Sequence, residues 1–388
     1  MESYVTLIVL GSLFFVGMLT DEIGRRTRLP RVTLLILFGV LAGPIGIDIV
    51  PSQANSWYEL LATTALTMVA FLLGGSLSFE QLRHHGRSIL SISIAVVLTT
   101  IIVVAGGLIA IGIDVALALL FAGIATATAP AATLDVIRQV GAEGEFTDTL
   151  RGIVAVDDAW GLIAFSFILI AVNVIAGNGI AADFWQGIWE VGGALVLGVL
   201  IGFPAAYLTG RLRQGEPIQA EALAIVFLSA GFALWLEVSF LLTGIVSGMV
   251  VVNFAKHHAR PFHEIENIEW PFMILFFFLA GLSLQVDRWQ EFALIIAGLL
   301  VLRTFSRIAG GWMGAKLGAA PKVYRRWIGL ALLPQAGVAV GMALVASHRF
   351  PELRDVVLPV TIGATVVFEV VGPLATMIAL AKAGETKR

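Results

Sequence analysis

The sequence predicts an all-α polytopic membrane protein of about thirteen transmembrane helices, built as two inverted six-helix repeats. Three observations carry this: a strongly apolar composition, apolar segments of spanning length, and a one-sided distribution of basic residues. Hydrophobic residues make up 58% of the 388 and charged residues 13%, against roughly a quarter charged in soluble domains. Mean hydropathy is +0.94. The alternating pattern of a membrane β-barrel is missing, which leaves helices as the element that satisfies its own backbone in lipid. With no cysteine, disulfides, thiolate catalysis and cysteine metal sites drop out. No basic patch with interleaved aromatics points to nucleic acid. The net charge of −3 says little about partners, because in such a chain the placement of charge matters more than its sum.

A helix crosses the hydrocarbon core with about 20 apolar residues, and thirteen stretches come near that length. The first, 3–19, has no basic region ahead of it and no small-residue cleavage site, so it reads as a span and not a leader. Three plain apolar segments follow at 32–49, 57–78 and 88–112. Segment 115–137 contains Pro130, and 149–176 contains Asp157 and Asp158. Segments 188–210, 219–236, 239–255 and 270–286 are again predominantly apolar. Segment 291–315 carries Arg303 and Arg307, 326–347 carries Pro334, and 356–381 carries Glu369. Little chain is left over for a soluble domain. Trp57, Trp185 and Trp189 fall near segment ends, where tryptophan anchors a span at the interface.

Basic residues in the loops set the orientation. Of 24 Lys and Arg, nineteen fall in the alternate loops beginning after the first segment, plus the C-terminal tail. Arg288, Arg349 and Arg354 fall in the opposite loops, and Arg303 and Arg307 lie inside a segment. This places the N-terminus outside and the C-terminus in the cytoplasm, in a multi-pass protein of the cell (inner) membrane. Segment one then enters from outside and segment eight from inside. Segments one to six and eight to thirteen become inverted copies joined by segment seven.

The chain is organised around 126–158, which reads TATAPAAT, a polar bend, then AVDDAWG. Inverted repeats bind substrate at the midplane, where matching helices break. Segment five carries Pro130, and its counterpart, segment twelve, carries Pro334 in LLPQAGVAVG. Proline removes a backbone donor, and glycine lowers the cost of unwinding. The two breaks are expected as a pair.

Ionisable groups at membrane depth cost roughly 2.5–3.5 kcal/mol each even on the mildest scale. Asp157 and Asp158 are neighbours on a helix and point about 100° apart, so one can face a cavity while the other reaches a neighbouring helix. The bland reading is a structural pair neutralised by arginines; the functional one is a cation and proton site. A carboxylate that holds either a proton or a desolvated Na⁺ is what an exchanger needs. Arg303 and Arg307, spaced i, i+4, share a face and need partners or water. The candidate partners are Asp157, Asp158 and Glu369. One arginine pairing with Glu369 and the other with Asp157 would leave Asp158 free for the ion. A threonine in a span usually bonds its own backbone, but Thr126, Thr128 and Thr133 cluster at the proline break and so read as a cavity lining. The run KHHARPFHEIE, with His257, His258, His263, Glu264 and Glu266, reads as a solvated cytoplasmic loop, since its spacing matches no metal motif. A pH-sensing role is the weaker alternative.

The run GIATATAPAATLDVIRQVGAEGEFTDTLRGIVAVDDAWGLI resembles the monovalent cation/proton antiporter superfamily in its sodium/proton exchanger, paired-aspartate branch. FLLGGSLSFEQLRHHG, FFFLAGLSLQVD and LALLPQAGVAVGMAL resemble it too. The resemblance implies a homodimer of thirteen-helix chains with crossed, partly unwound helices. It implies dimerisation and scaffold helices in 1–87, core helices with the ion site in 88–176, and a linking helix in 177–218. Scaffold helices in 219–290 and core helices with a short tail in 291–388 complete the plan. Asp158 matches the family's ion- and proton-binding aspartate, and Asp157 the neighbour that pairs with a basic residue. Arg307 stands where that residue is usually lysine or arginine. Arginine there cannot release a proton as lysine does, so the stoichiometry is open. The potassium branch carries Gln-Asp at this place.

The expected activity is secondary active Na⁺/H⁺ antiport by alternating access, serving pH homeostasis, with no cofactor beyond the transported ions. A K⁺/H⁺ antiporter of the same fold is the alternative, and a sodium-coupled organic-anion symporter is a more distant one. An intramembrane aspartyl protease is disfavoured, because its two aspartates must face each other from different helices.

Overall fold

The computed structural model describes residues 3–27, 31–43, 47, 55–75, 77–79, 86–176, 180–208, 218–255, 259–282, 289–335 and 337–386. Among these, regular structure is helical throughout. The helices are α1 (Ser3–Thr27), α2 (Arg31–Ala42), α3 (Asn55–Gly75), α4 (Arg87–Ala110), α5 (Val115–Ile124), α6 (Pro130–Gln139), α7 (Glu145–Ala176) and α8 (Ile180–Leu208). They continue with α9 (Ile218–Trp235), α10 (Phe240–Phe254), α11 (Ala259–Leu282), α12 (Trp289–Leu317), α13 (Lys322–Ala331), α14 (Gly337–Arg349) and α15 (Arg354–Ala383). A 3-10 turn, Pro351–Leu353, leads into α15. Among the described residues, α4, most of α7, α8 and α12, and α15 are long and apolar enough to cross a membrane. The chain is a multi-pass helical membrane protein.

Each candidate segment meets a helix, with two informative differences. Segments five and twelve are each two short helices, α5 with α6 and α13 with α14, separated by non-helical backbone at 125–129 and 332–335. The run expected as a cytoplasmic loop is helical from Ala259 onward, so His263, Glu264 and Glu266 sit in the opening turns of α11. Pro261 falls in the first turn, where its missing N–H has no helical acceptor to lose. His263 faces Glu266 at 3.8 Å on the exposed surface. His257 and His258 lie outside the described residues, as does the side chain of Trp57. Trp185 and Trp189 are exposed, and Trp189 Nε1 donates to the Leu236 carbonyl at 3.0 Å.

Helix contacts fall into two dense sets. In one, α4, α5, α6, α7, α12, α13, α14 and α15 pack on one another; in the other, α1, α2, α3, α9, α10 and α11 do, with α8 laid along α10. The pivot of the first set is α12 against α4. Gly310, Gly314 and Gly318 recur every fourth residue, and a Cβ at each would meet the α4 backbone at Val96, Ile92 and Ser88, within 2.4–2.8 Å. Lipid tails offer no hydrophobic drive between helices, so such small-residue stripes let backbones close in and gain van der Waals contact. This seating fixes α12, and with it the two arginines one to two turns away. Between the sets, Leu66 of α3 lies over Gly341, and Phe277 of α11 over Gly337.

Candidate functional site

The site grows from an interrupted helix. Helix α5 stops at Ile124, and its last turn closes through Ala125 N–H to the Phe121 carbonyl at 2.9 Å. Helix α6 starts at Pro130, where proline's fixed φ suits the first helical position. The carbonyls of Ala125, Thr126 and Ala127 are left without helical donors, as at any C-terminus. Two guanidiniums from α12 take them. Arg303 donates to the Ala125 carbonyl at 3.0 Å, the Ala127 carbonyl at 2.8 Å and, across in the second break, the Leu333 carbonyl at 2.8 Å. Its guanidinium carbon also lies 4.3 Å from the centre of the Phe368 ring. Arg307 donates to the Ala125 and Ala127 carbonyls, each at 3.2 Å, and to that of Thr126. Both arginines are fully buried. One side chain thus bridges both breaks, and the other serves the first.

The aspartates come from α7, which passes the first break. Arg307 Nη1 donates to Asp157 Oδ2 at 2.8 Å, a pair with no exposure on either side chain. Asp158 Oδ1 accepts two bonds from Thr128, from the backbone N–H at 2.8 Å and from Oγ1 at 2.7 Å. Asp157 Oδ1, Asp158 Oδ2 and Gln335 Oε1 have no hydrogen-bond partner among the described residues. A buried polar atom in that condition costs about 1–3 kcal/mol, so each is a candidate oxygen for a ligand.

The sequence-selected residues divide accordingly. Asp157, Asp158, Thr128, Arg303 and Arg307 converge. Thr126 is adjacent but donates to the Gly123 carbonyl at 2.6 Å, as threonines in spans do. Thr133 is buried in the first turn of α6. Pro130 opens α6, and Pro334 lies inside the second break. Glu369 does not meet either arginine: both its oxygens lack hydrogen-bond partners among the described residues. The expected pair between one of the arginines and Glu369 is not formed: Arg303 turns Nε, Nη1 and Nη2 onto carbonyls of the two breaks, and Arg307 pairs with Asp157.

Two participants were not selected. Gln335, buried in the second break, donates Nε2 to the Ile124 carbonyl at 3.3 Å; a polar residue directly after Pro334 in an apolar run was its signal. Gly161, one turn beyond Asp158, lets the Thr126 hydroxyl approach, since a Cβ there would lie 2.8 Å from it.

This arrangement has relatives. The chain is 24% identical over 365 residues to the Na⁺/H⁺ antiporter NhaP of Pseudomonas aeruginosa, covering 88% of this chain and 78% of that protein. It is 21% identical over 369 residues to the ammonium/H⁺ antiporter subunit AmhT of Alkalihalophilus pseudofirmus, covering 90% of each. Its fold matches the sodium proton antiporter MjNhaP1 of Methanocaldococcus jannaschii with a TM-score of 0.73 at 18% identity, over 98% of this chain and 96% of that one. The family described as "Sodium/hydrogen exchanger, transmembrane" matches residues 10–382, nearly the whole chain, and the protein belongs to that family.

Proposed function

We propose that the protein exchanges Na⁺ for protons across the membrane, with Asp158 as the carboxylate for which the two compete. The observation that carries this is the asymmetry of the aspartate pair. Asp157 is spoken for by Arg307, whereas Asp158 is held in place by Thr128 with Oδ2 left without a partner among the described residues. A dehydrating cation needs several oxygens, and Asp157 Oδ1 and Gln335 Oε1 are also uncommitted. The arginines hold the carbonyls of the first break, so opposed helix ends flank the site as in other broken-helix transporters.

On this reading the α4–α7 and α12–α15 set is the core, and α1–α3 with α9–α11 the scaffold through which two copies dimerise, with α8 linking them. The core moves against the scaffold over the Leu66–Gly341 and Phe277–Gly337 contacts. Thirteen crossings in two inverted repeats, with the N-terminus outside, complete the plan. The paired breaks support the repeat, and the placement of basic residues supports the orientation.

The test is exchange in proteoliposomes, read with a pH-sensitive dye on addition of Na⁺, Li⁺, K⁺ or NH₄⁺. Na⁺ is expected to dissipate an imposed pH gradient; a response to K⁺ or NH₄⁺ alone would reassign the ion. Competition also fixes the sign of the pH dependence. Protons displace cation, so the KM for Na⁺ rises as pH falls, approaching about tenfold per pH unit once the site is mostly protonated. A KM flat with pH would contradict a shared site.

A further inference from the structure

One charged cluster lies outside the exchange site. Arg349, the last residue of α14, forks onto Glu190 of α8, with Nη1 to Oε1 at 2.5 Å and Nη2 to Oε2 at 2.7 Å. The Glu190 side chain is 5% exposed and that of Arg349 30%. Both line a cavity of about 310 Å³, whose wall includes Thr63 and Leu66 of α3, Glu237 from the α9–α10 turn and Leu344 of α14.

The two partners belong to different packed sets. Helix α8 is bound to α10: Gly198 and Gly202 admit Val246 and Val250, and Ser247 Oγ donates to the Gly198 carbonyl at 3.1 Å. Helix α14 packs chiefly on α15, with α5 and α7 beside it. Farther along α14 the boundary is apolar and smooth, with Leu66 over Gly341 and Phe277 over Gly337. Apolar contacts of that kind keep their energy while surfaces slide. A two-bonded arginine–carboxylate fork does not, because it is directional as well as strong.

We propose that Arg349 and Glu190 form the outer gate of the exchanger: a closed latch between the moving and the stationary helices that parts whenever the ion site opens to that side. This rests on the exchange reading above. Parting the fork leaves the carboxylates of Glu190 and Glu237 on a wall that also carries Arg349 and His348, so with the histidine neutral the two acids outnumber the one arginine and the lining favours an arriving cation over an anion. The charges make the latch reversible: each opening re-wets both groups, and closing restores the fork.

The chain has no cysteine, so the double variant E190C/R349C introduces the only two thiols. Bridging them with a short bis-methanethiosulfonate in proteoliposomes is expected to abolish Na⁺-driven exchange. Reductant should restore it, and the single-cysteine variants should be insensitive to the reagent. Undiminished exchange by the bridged protein would overturn the gate. Absence of exchange in the unmodified parent chain would instead sink the exchange reading, and the gate with it. A second measurement covers failure of the double variant to fold. With Thr63→Cys on the cavity wall, a membrane-impermeant maleimide added outside should label about tenfold faster when Arg349→Gln is also present, the shift expected if removing the fork frees the open state. Equal labelling rates would overturn the proposal.

Discussion

The two helix breaks invite comparison. Each interrupts a span with non-helical backbone beside a proline, and Arg303 donates to carbonyls of both. Their chemistry is otherwise unequal. The first break turns the backbone N–H and hydroxyl of Thr128 onto Asp158, and it takes a second guanidinium from Arg307. The second contributes the Leu333 carbonyl and the Gln335 amide, and no acid. Matched architecture therefore does not mean matched chemistry: the first break holds a carboxylate in place, and the second supplies a carbonyl and an amide.

That contrast ranks the expected effects of substitution. Asp158→Asn, which removes the acid beside the first break, should abolish exchange while the purified protein keeps its helical circular dichroism; retained exchange would break the comparison outright. Arg307→Gln should follow, because it strands Asp157 and the Thr126 carbonyl in the interior, while Arg303 still holds the carbonyls of Ala125 and Ala127. Breaking a buried pair from one side costs about 3–5 kcal/mol, to be read as a lowered Tm in detergent. Asp157→Asn with Arg307→Gln should recover part of that loss, as it removes the stranded charge.

Thr128→Val deletes one hydrogen bond to a charged acceptor, a class worth about 1.5–3 kcal/mol. It should raise the KM for Na⁺ by about tenfold or more and leave kcat less affected. Gln335→Leu in the second break should shift KM less than Thr128→Val does, and the reverse order would invert the ranking. Smallest of all is Glu369→Gln. With neither oxygen partnered among the described residues, the carboxylate offers no pair to lose. Exchange should stay within about twofold and Tm should not fall, since a neutral amide is cheaper to bury than an unpaired charge.

Much of this was legible in the sequence because membrane chemistry is strict. Apolar length yields helices, and a charge inside a span has to be explained. Asp157, Asp158, Arg303 and Arg307 stood out for that reason. Proline was a weaker guide. Pro204, Pro271, Pro359 and Pro373 all sit inside helices that continue through them, whereas the spans with Pro130 and Pro334 are broken. The difference lies outside the local sequence: among the described residues, buried guanidiniums reach the freed carbonyls at those two breaks. Long-range satisfaction of this kind is invisible to a linear pattern, and the same cause misdirected the reading of Glu369. Its pairing with an arginine was inferred from the scarcity of buried acids, while the carbonyls that outcompeted it belong to every residue and leave no mark in a sequence. The opening turns of α11 were misread for a related reason. Histidines, glutamates and a proline look like a loop, and the proline's place in a first turn, where it does no harm, decided otherwise.

The central claim is that one carboxylate serves two cations in turn. The direct measurement is proton release from purified protein in detergent and weak buffer, followed with an indicator dye as Na⁺ is added at fixed pH. The native protein should release protons as Na⁺ saturates, and Asp158→Asn should release none. Equal release from both would place the shared site elsewhere and contradict the account.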